Sequence, residues 1–435
     1  MSQIDADEKT EAEEIAETEK GETGKRRDME GPLHGIRVLD VSRVLAGPFA
    51  AMVLADLGAE VIKVEMPEVG DESRGFGPFL PHPRRFTGSS PHPGESAYFI
   101  SINRGKKGLT VNLSHPRGAS LVRRLAGRCD VLIENFRPGT MARFGLDAET
   151  LRADNPGLIY ASVSGFGQTG PYAKRPAYDV IIQGMSGVAS ITGNPGEPPV
   201  KVGNSIADLS ASLFAVIGIL TALYARGRGG GGQSLDVAML DCQIALLENA
   251  IARYVVEGVP PGPLGSRHPT ITPFQFFEAS DGHLVVGAGN NGLFAKLCRA
   301  LGLDGLIDDP RFSSNARRTE HCEALAAFLN ERLRARTVAE WLPLLETAGV
   351  PCGPIHRIDQ VVRDPHVNAR GMIVEAGHRG GEKLKVPGSP LKFSREVVDA
   401  TQPPPRLGEH TEEILKDLLG LTDEEIAELR AEKVI

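Results

Sequence analysis

The chain predicts an α/β fold: a Rossmann-like, doubly wound parallel sheet with a second, smaller α+β domain. Three observations predict it. From Ile36 onward, short apolar runs that read as strands alternate with helical segments, the pattern of parallel β-α-β units. The strand candidates run into glycine-rich, basic turns, and the carboxyl ends of such strands are where ligands bind. Near residue 250 the alternation stops. An irregular stretch rich in Pro and Gly then leads to two strands joined at "SDG".

Residues 1–31 hold Glu, Lys and Thr with almost no large apolar side chains, so a disordered acidic tail is expected. The large domain is expected over 32–225. "IRVLDVS" is a strand, "PFAAMVLADLG" a helix ending at Gly58, a usual C-cap, and "EVIKVE" the next strand. The turn between the first two, "SRVLAGP", lacks the G-x-G-x-x-G of a dinucleotide site. "ESAYFISINRGKKGLTVNL" supplies a loop and strand at the crevice. "HPRGASLVRRLAGRC" is a helix and "DVLIENF" a strand. Asp147 caps a short helix through Leu151, and "LIYASVSGFG" is a further strand. Leu209–Ala225 is a long apolar helix, and Gly229–Gly232 is a flexible turn. That run is no phosphate loop, because no Lys-Ser/Thr follows it. A linker is expected over 226–254, the small domain over 255–370 and a return linker over 371–389. Residues 390–435 complete the large domain, ending in two helices of which the second has Thr422 and Glu425 in capping-box spacing.

Composition excludes several classes. A 435-residue chain can bury a sizeable core. The most apolar run, "SLFAVIGILTALYA", is shorter than the roughly 20 residues that span a bilayer. With no signal pattern at the N-terminus, a cytoplasmic protein without membrane partners is expected. The five cysteines form no C-x-x-C pair and there is no H-E-x-x-H, so neither a disulfide framework nor a metal site is expected. Eleven acids and five bases in residues 1–30 account for −6 of the chain's net charge of −8. The near-neutral body has no field favouring nucleic acid.

Four strand-end stretches carry the candidate chemistry: "SRVLAGP", "NRGKKG", "ENFRPGTMARFG" and "SGFGQTGPYAKRPAYD". Their cations, Arg43, Arg104, Lys106, Lys107, Arg137, Arg143, Lys174 and Arg175, form a cluster that could receive a polyphosphate. A fifth stretch, "GNSIADLSASLF", places Asp208 at the start of the apolar helix. Asp is a preferred N-cap. A carboxylate at a helix N-terminus is also favoured in its ionised form, the form a nucleophile needs.

These motifs resemble the family III CoA-transferases. The resemblance runs from Gly31 to the C-terminus and is carried by "RVLAGPFAAMVLADLGAEVIKVE", "NRGKKGLTVNL", "VLIENFRPG", "SGFGQTGP", "PAYDVIIQGMSG", "ADLSAS", "VPGSPLKFS" and "LGEHT". It implies that the Rossmann-like unit binds coenzyme A as part of the substrate, with no permanently bound cofactor, so the dinucleotide glycines are dispensable. The implied coenzyme positions are Leu45 and Ala46; Val111, Asn112, Leu113 and Ser114; Asn135, Phe136 and Arg137; Arg143; and Arg175, Pro176, Ala177 and Tyr178. Many members carry Arg where this chain has Met66, and Arg104 is the candidate substitute. The resemblance puts the catalytic aspartate at Asp208 and makes Asp179 a structural carboxylate.

Transfer of CoA between acids suits a carboxylate nucleophile, because a mixed anhydride and an aspartyl-CoA thioester conserve the energy of the donor. Water must be kept out and oxyanions stabilised, a task for segments such as "GAGNNG" (Gly287–Gly292), with Gly289 as a substrate-side candidate. The same fold hosts α-methylacyl-CoA racemases, which have His where this chain has Tyr178, while Glu278 falls where racemases also have an acid. A non-catalytic CoA-binding protein is a third reading. "VVGAGNNGLFAKLC", "VPCGPI" and "RVLAGPFAAM" are similar to the succinyl-CoA–glutarate branch. That likeness implies a dicarboxylate acceptor, with Arg267 as the candidate partner of its free carboxylate. The family resemblance also implies an interlocked homodimer.

Overall fold

The computed structural model describes residues 31–81, 94–377 and 383–435. The acidic tail through residue 30 lies outside the described residues. The chain forms two compact units. The larger holds the residues up to 182 together with 205–246 and 366–435; the smaller holds 183–204 and 247–365.

The larger unit begins β1 (Arg37–Asp40), α1 (Ala46–Asp56), β2 (Glu60–Glu65). A short antiparallel pair follows, β3 (Phe79–Pro81) with β4 (Gly94–Ser96), then α2 (Ala97–Asn103) and β5 (Lys106–Thr110). Next come α3 (Pro116–Ala126), β6 (Val131–Glu134), α4 (Thr140–Arg143), α5 (Ala148–Asp154) and β7 (Ile159–Ser164). After α6 (Asp179–Met185) the chain returns with α7 (Ile206–Gly227), β8 (Ser234–Ala238) and α8 (Met239–Ala245). Six strands form one sheet in the order β5-β2-β1-β6-β7-β8, and every neighbouring pair is parallel. This is doubly wound order with its reversal between β1 and β6, where ligands bind beyond the strand ends.

The strands read as near-continuous apolar runs because both faces are covered. On one face Leu39, Ile62, Leu109 and Leu132 pack with α3 and the C-terminal residues Ile414, Leu415, Ile426 and Leu429. On the other, Val38, Val61, Ile133 and Ile159 pack with Ala50, Ala51 and Leu54 of α1 and Ala211, Ala215 and Ile219 of α7. The small residues on both helices allow their backbones to approach closely.

Local signals account for several helix starts. Asp147 accepts the Thr150 N–H at 3.0 Å at the head of α5, which runs on to Asp154. Pro116 opens α3 beside His115, whose ring accepts the Arg117 N–H. At 22 residues α7 is longer than the apolar run within it and, by length and composition alone, could cross a membrane. Its Ala207, Ala211, Ala215, Ile219 and Ala222 are buried in the core.

The smaller unit contains α9 (Ala250–Glu257) and the antiparallel strands β9 (Phe274–Ala279) and β10 (Gly282–Gly287). There follow α10 (Asn291–Leu301), α11 (Asn315–Glu320), α12 (Cys322–Leu333), α13 (Val338–Thr347) and β11 (Cys352–Pro354). The sheet order is β11-β10-β9. Trp341, Phe277 and Phe312 fill its core. The chain then re-enters the larger unit through β12 (Ile373–Ala376) paired with β13 (Leu384–Pro387), and ends with α14 (Thr411–Leu419) and α15 (Asp423–Ala431). Thr422 and Glu425 form the expected capping box.

The linkers depart from the sequence expectation. Residues 226–254 are not an extended connection: they supply β8, the sixth strand, and α8. β8 was hidden because its exposed positions alternate with half-buried ones at the sheet edge and it follows a glycine run. The expected return linker 371–389 likewise contains β12 and β13, whose Ala376 and Val386 pack on Ile100. Residues 183–204, expected within the large domain, belong to the smaller unit.

Candidate active site

The first turn, at the carboxyl end of β1, is joined across the switch point to the end of β6. Asn135 accepts the Arg43 N–H at 2.8 Å and donates to the Arg43 carbonyl at 2.7 Å. Gly47 is needed for close approach: a Cβ there would lie 2.3 Å from Ser42 Oγ. A groove of about 300 Å³ opens beside this turn, lined by Ser42, Arg43, Met66, Val111, Leu113 and Phe136. A neighbouring hollow of about 390 Å³ shares Leu113 and Ser114 and adds Arg123 and Arg143. The structure thus gathers Val111, Leu113, Ser114 and Phe136 at the groove, puts Arg143 at the neighbouring hollow, and has Asn135 hold the turn through Arg43. Asn112 stands behind it, accepting the Ser114 N–H at 3.0 Å and donating its own N–H to the Val434 carbonyl. Arg137 is exposed. Arg43 lies 5.4 Å from the centre of the Phe136 ring. Glu134 accepts the Phe136 N–H at 2.8 Å, and burial pushes its carboxyl up to about 7.

Asp208 is the third residue of α7, not its cap. The capping task falls to Asp179, whose Oδ1 accepts the Ala207 N–H at 2.8 Å. From far back in the chain Asp179 thus fills the position that Ser205 leaves empty. One turn beyond Asp208, Ser212 Oγ donates to the carbonyls of Ala46 (2.6 Å) and Asp208 (2.8 Å). This joins the head of α7 to the buried first turn at Leu45 and Ala46. The Asp208 carboxylate itself accepts no hydrogen bond among the described residues. Burial, reinforced by the charge of Asp179, pushes it from the ordinary 3.8 up to about 7. The expectation that the helix N-terminus holds it ionised is thus reversed. A helix terminus contributes up to about 2 kcal/mol in its best geometries, and desolvation outweighs that. Tyr98 on α2 feels the same group: burial, then Asp208, Asp71 and Asp179, push its phenol up to about 12.

Four of the eight expected phosphate cations are paired with carboxylates; the first, Arg43, is exposed and meets Glu72 at 3.0 Å. Arg104 is buried and pairs with Asp56 at 2.6 Å while donating to the Pro387 carbonyl at 2.7 Å. It does not replace a base at Met66. Lys106 is buried against Asp40 at 2.8 Å and the carbonyl of Pro48. Lys107 pairs with Glu413 at 2.8 Å and Glu60 at 3.1 Å. The reason is topological: "NRGKKG" opens β5 rather than closing it, so it sits at the amino edge of the sheet.

Arg175 stacks over Tyr172 at 4.4 Å and is exposed, as are Pro176 and Tyr178. Ala177 packs on Gly165, where a Cβ would come within 2.2 Å of its own. Within the smaller unit, Glu278 is paired with Arg334. Arg267 is half-buried. Gly289 packs on Ile271, and its carbonyl accepts from the buried Arg318 at 2.6 Å. Sequence reasoning missed Tyr98, Ser212 and Glu134. Only Ser212, four residues after Asp208, carried a local signal, since that spacing puts the two on one helix face. Among the described residues no group of three or more His, Cys, Asp or Glu is placed to hold a metal ion.

Comparison with known proteins gives consistent relatives. The profile of CoA-transferase family III matches residues 33–411. A succinate–glutarate CoA-transferase of Agrobacterium fabrum is 42% identical over 387 residues, covering 89% of this chain and 96% of that protein. A succinyl-CoA:glutarate CoA-transferase of Mus musculus is 41% identical over 404 residues, 93% of this chain and 90% of its own length. A crystal structure of a CAIB/BAIF family protein from Brucella suis superposes with a TM-score of 0.78 at 41% identity, covering 89% of this chain and all of that one. The crevice beyond β1 and β6, the carboxylate at the head of α7 and these relatives converge: the chain belongs to CoA-transferase family III and is a CoA-transferase.

Proposed function

We propose that this enzyme moves CoA from succinyl-CoA to glutarate or a related dicarboxylate, with Asp208 as the covalent nucleophile. The observation that carries the assignment is the Asp208 carboxylate: half-buried, pushed up to about 7, free of hydrogen bonds among the described residues, and tied through Ser212 to the crevice turn. A desolvated carboxylate without donors is a stronger nucleophile than a solvated one. In the first step Asp208 Oδ attacks the thioester carbon, the C–S bond breaks, and CoA leaves as a thiolate from a mixed anhydride. The thiolate then attacks the aspartyl carbon and releases the donor acid, leaving an aspartyl-CoA thioester. The acceptor carboxylate attacks that thioester and expels the thiolate again. Attack of the thiolate on the acceptor's acyl carbon frees Asp208. No net proton or water is consumed.

Coenzyme binding is assigned to the crevice, with Leu45 and Ala46 at the first turn, Val111–Ser114, Asn135–Arg137 and Arg143 around it, and Arg175–Tyr178 nearby in sequence to Asp179. Arg267 and Gly289 are assigned to the acceptor. The names of the relatives support the substrate pair. Incubation with succinyl-CoA and hydroxylamine should trap a hydroxamate on the peptide bearing Asp208, read by mass. A label on Asp179 or Glu278 instead would overturn the assignment. Transfer rates to a panel of carboxylic acids with succinyl-CoA as donor would test the acceptor; preference for a monocarboxylate would reject the dicarboxylate reading.

A further inference from the structure

Among the described residues four non-glycine residues have left-handed φ, and Val44, at +65°, is the one that is β-branched. For such a side chain this region of the backbone is a genuine outlier. Conformations of this kind persist where the surroundings over-determine them, and they cluster at ligand clamps. Val44 lies in the first turn, one residue before Leu45.

Three consecutive residues of the turn are held individually. The Val44 N–H donates to both carboxylate oxygens of Asp71, at 3.2 and 3.3 Å. The carbonyl of Ser42 accepts from Lys63 Nζ at 3.1 Å. Arg43 is gripped by Asn135 through both its N–H and its carbonyl. Asp71 is itself fixed, by Lys63 Nζ at 2.8 Å and by the Ser73 N–H and hydroxyl at 2.8 and 2.7 Å. The Lys63 and Asp71 side chains are 0% and 1% exposed, yet Asp71, Ser42 and Arg43 all border the 300 Å³ groove. Burial opposes the charge on Asp71, but Lys63 and Ser73 hold its carboxyl well below the usual range.

We propose that Asp71 is a positioning residue for coenzyme binding: anchored by Lys63, it holds Val44 in the left-handed conformation that sets the path of the turn whose Ser42 and Arg43 line the groove. This rests on the reading that the groove receives CoA. Without the anchor, Val44 relaxes to a negative φ, and the turn no longer matches the ligand before binding, a loss of preorganisation. Glycine adopts positive φ without penalty, so a glycine at 44 makes the anchor dispensable for the turn. A merely structural ion pair would show no such rescue.

The test is titration of the intact protein with free CoA by calorimetry, on the wild type, Asp71→Asn, Val44→Gly and the double variant. Asp71→Asn should raise Kd about tenfold, equivalent to about 1.4 kcal/mol. Val44→Gly should stay within about threefold of wild type, and the double variant within about threefold of Val44→Gly. If Asp71→Asn binds CoA like the wild type, or the double variant binds as weakly as Asp71→Asn, the proposal is overturned. If Asp71→Asn does not fold, a folded, CoA-binding double variant supports it; a double variant that also fails to fold shows that Asp71 serves to neutralise Lys63 and overturns it. Failure of the wild type to bind CoA would instead sink the assignment of the groove.

Discussion

At Asp208 two effects of opposite sign meet, and their sizes decide its charge. The first turn of α7 favours the anion, while burial and the neighbouring charge of Asp179 favour the acid and win, leaving the group near 7. The folded state therefore holds a proton that the unfolded chain releases near 3.8. Stability attributable to this group is full below the unfolded value and is lost as pH rises towards about 7. Asp208→Asn, neutral in both states, should abolish transfer and melt higher than the wild type. Its Tm advantage should grow between pH 4.5 and pH 8; an equal advantage at both pH values would contradict the raised carboxyl. Asp179→Asn keeps an oxygen for the Ala207 N–H but removes the charge that raises Asp208. The acid limb of its kcat/KM profile should move to lower pH while the fold is kept. A limb that stays in place would leave burial as the sole cause.

At the scale of elements, the head of α7 is built from parts that are distant in sequence. Asp179 caps it, and Gln243 of α8 donates to the Ile206 carbonyl at 3.2 Å and to Ser210 Oγ at 2.9 Å. α1 is fixed at its other end by the pair between its last residue, Asp56, and Arg104 at the end of α2. Removing one partner of a buried pair leaves an uncompensated charge, at a cost of about 3–5 kcal/mol. Arg104→Met should lower the urea midpoint accordingly, yet leave the KM for acyl-CoA of the folded enzyme unchanged. A raised KM with intact stability would return Arg104 to the coenzyme. Restoring neutrality with Asp56→Leu in the same chain should recover much of the loss, because apolar replacements of buried pairs are tolerated.

At the scale of the molecule, Leu213, Ile217 and Tyr224 on α7 are 51%, 58% and 66% exposed in the isolated chain. Their spacing of four and seven residues puts them on one helix face. An apolar stripe of this kind fits the homodimer that the family resemblance implies. Light scattering should give twice the 46.5 kDa of one chain, and Ile217→Asp should shift the population towards monomer with loss of solubility. A wild-type monomer at micromolar concentration would reject the dimer.

What the sequence by itself determined was whatever is encoded locally. Apolar runs placed β1, β2, β6 and β7. Asp147 and the Thr422–Glu425 pair marked helix starts, and Asp208 stood out at the head of an apolar helix. The motifs carrying the family resemblance are contiguous strings, so they were legible for the same reason. The tertiary structure alone decided which charges are free and what state they hold. Arg104 and Asp56 are 48 positions apart, and Lys106 and Asp40 are 66 apart. Nothing in "NRGKKG" distinguishes a phosphate ligand from a buried structural ion until the sheet brings the carboxylates beside it. Likewise Asp208 reads as a cap until Asp179 takes that position. β8 becomes a strand only because β7 offers it an edge, since its own side chains lack the apolar run of the buried strands. Desolvation and pairing depend on neighbours in space, and a linear pattern records only neighbours along the chain.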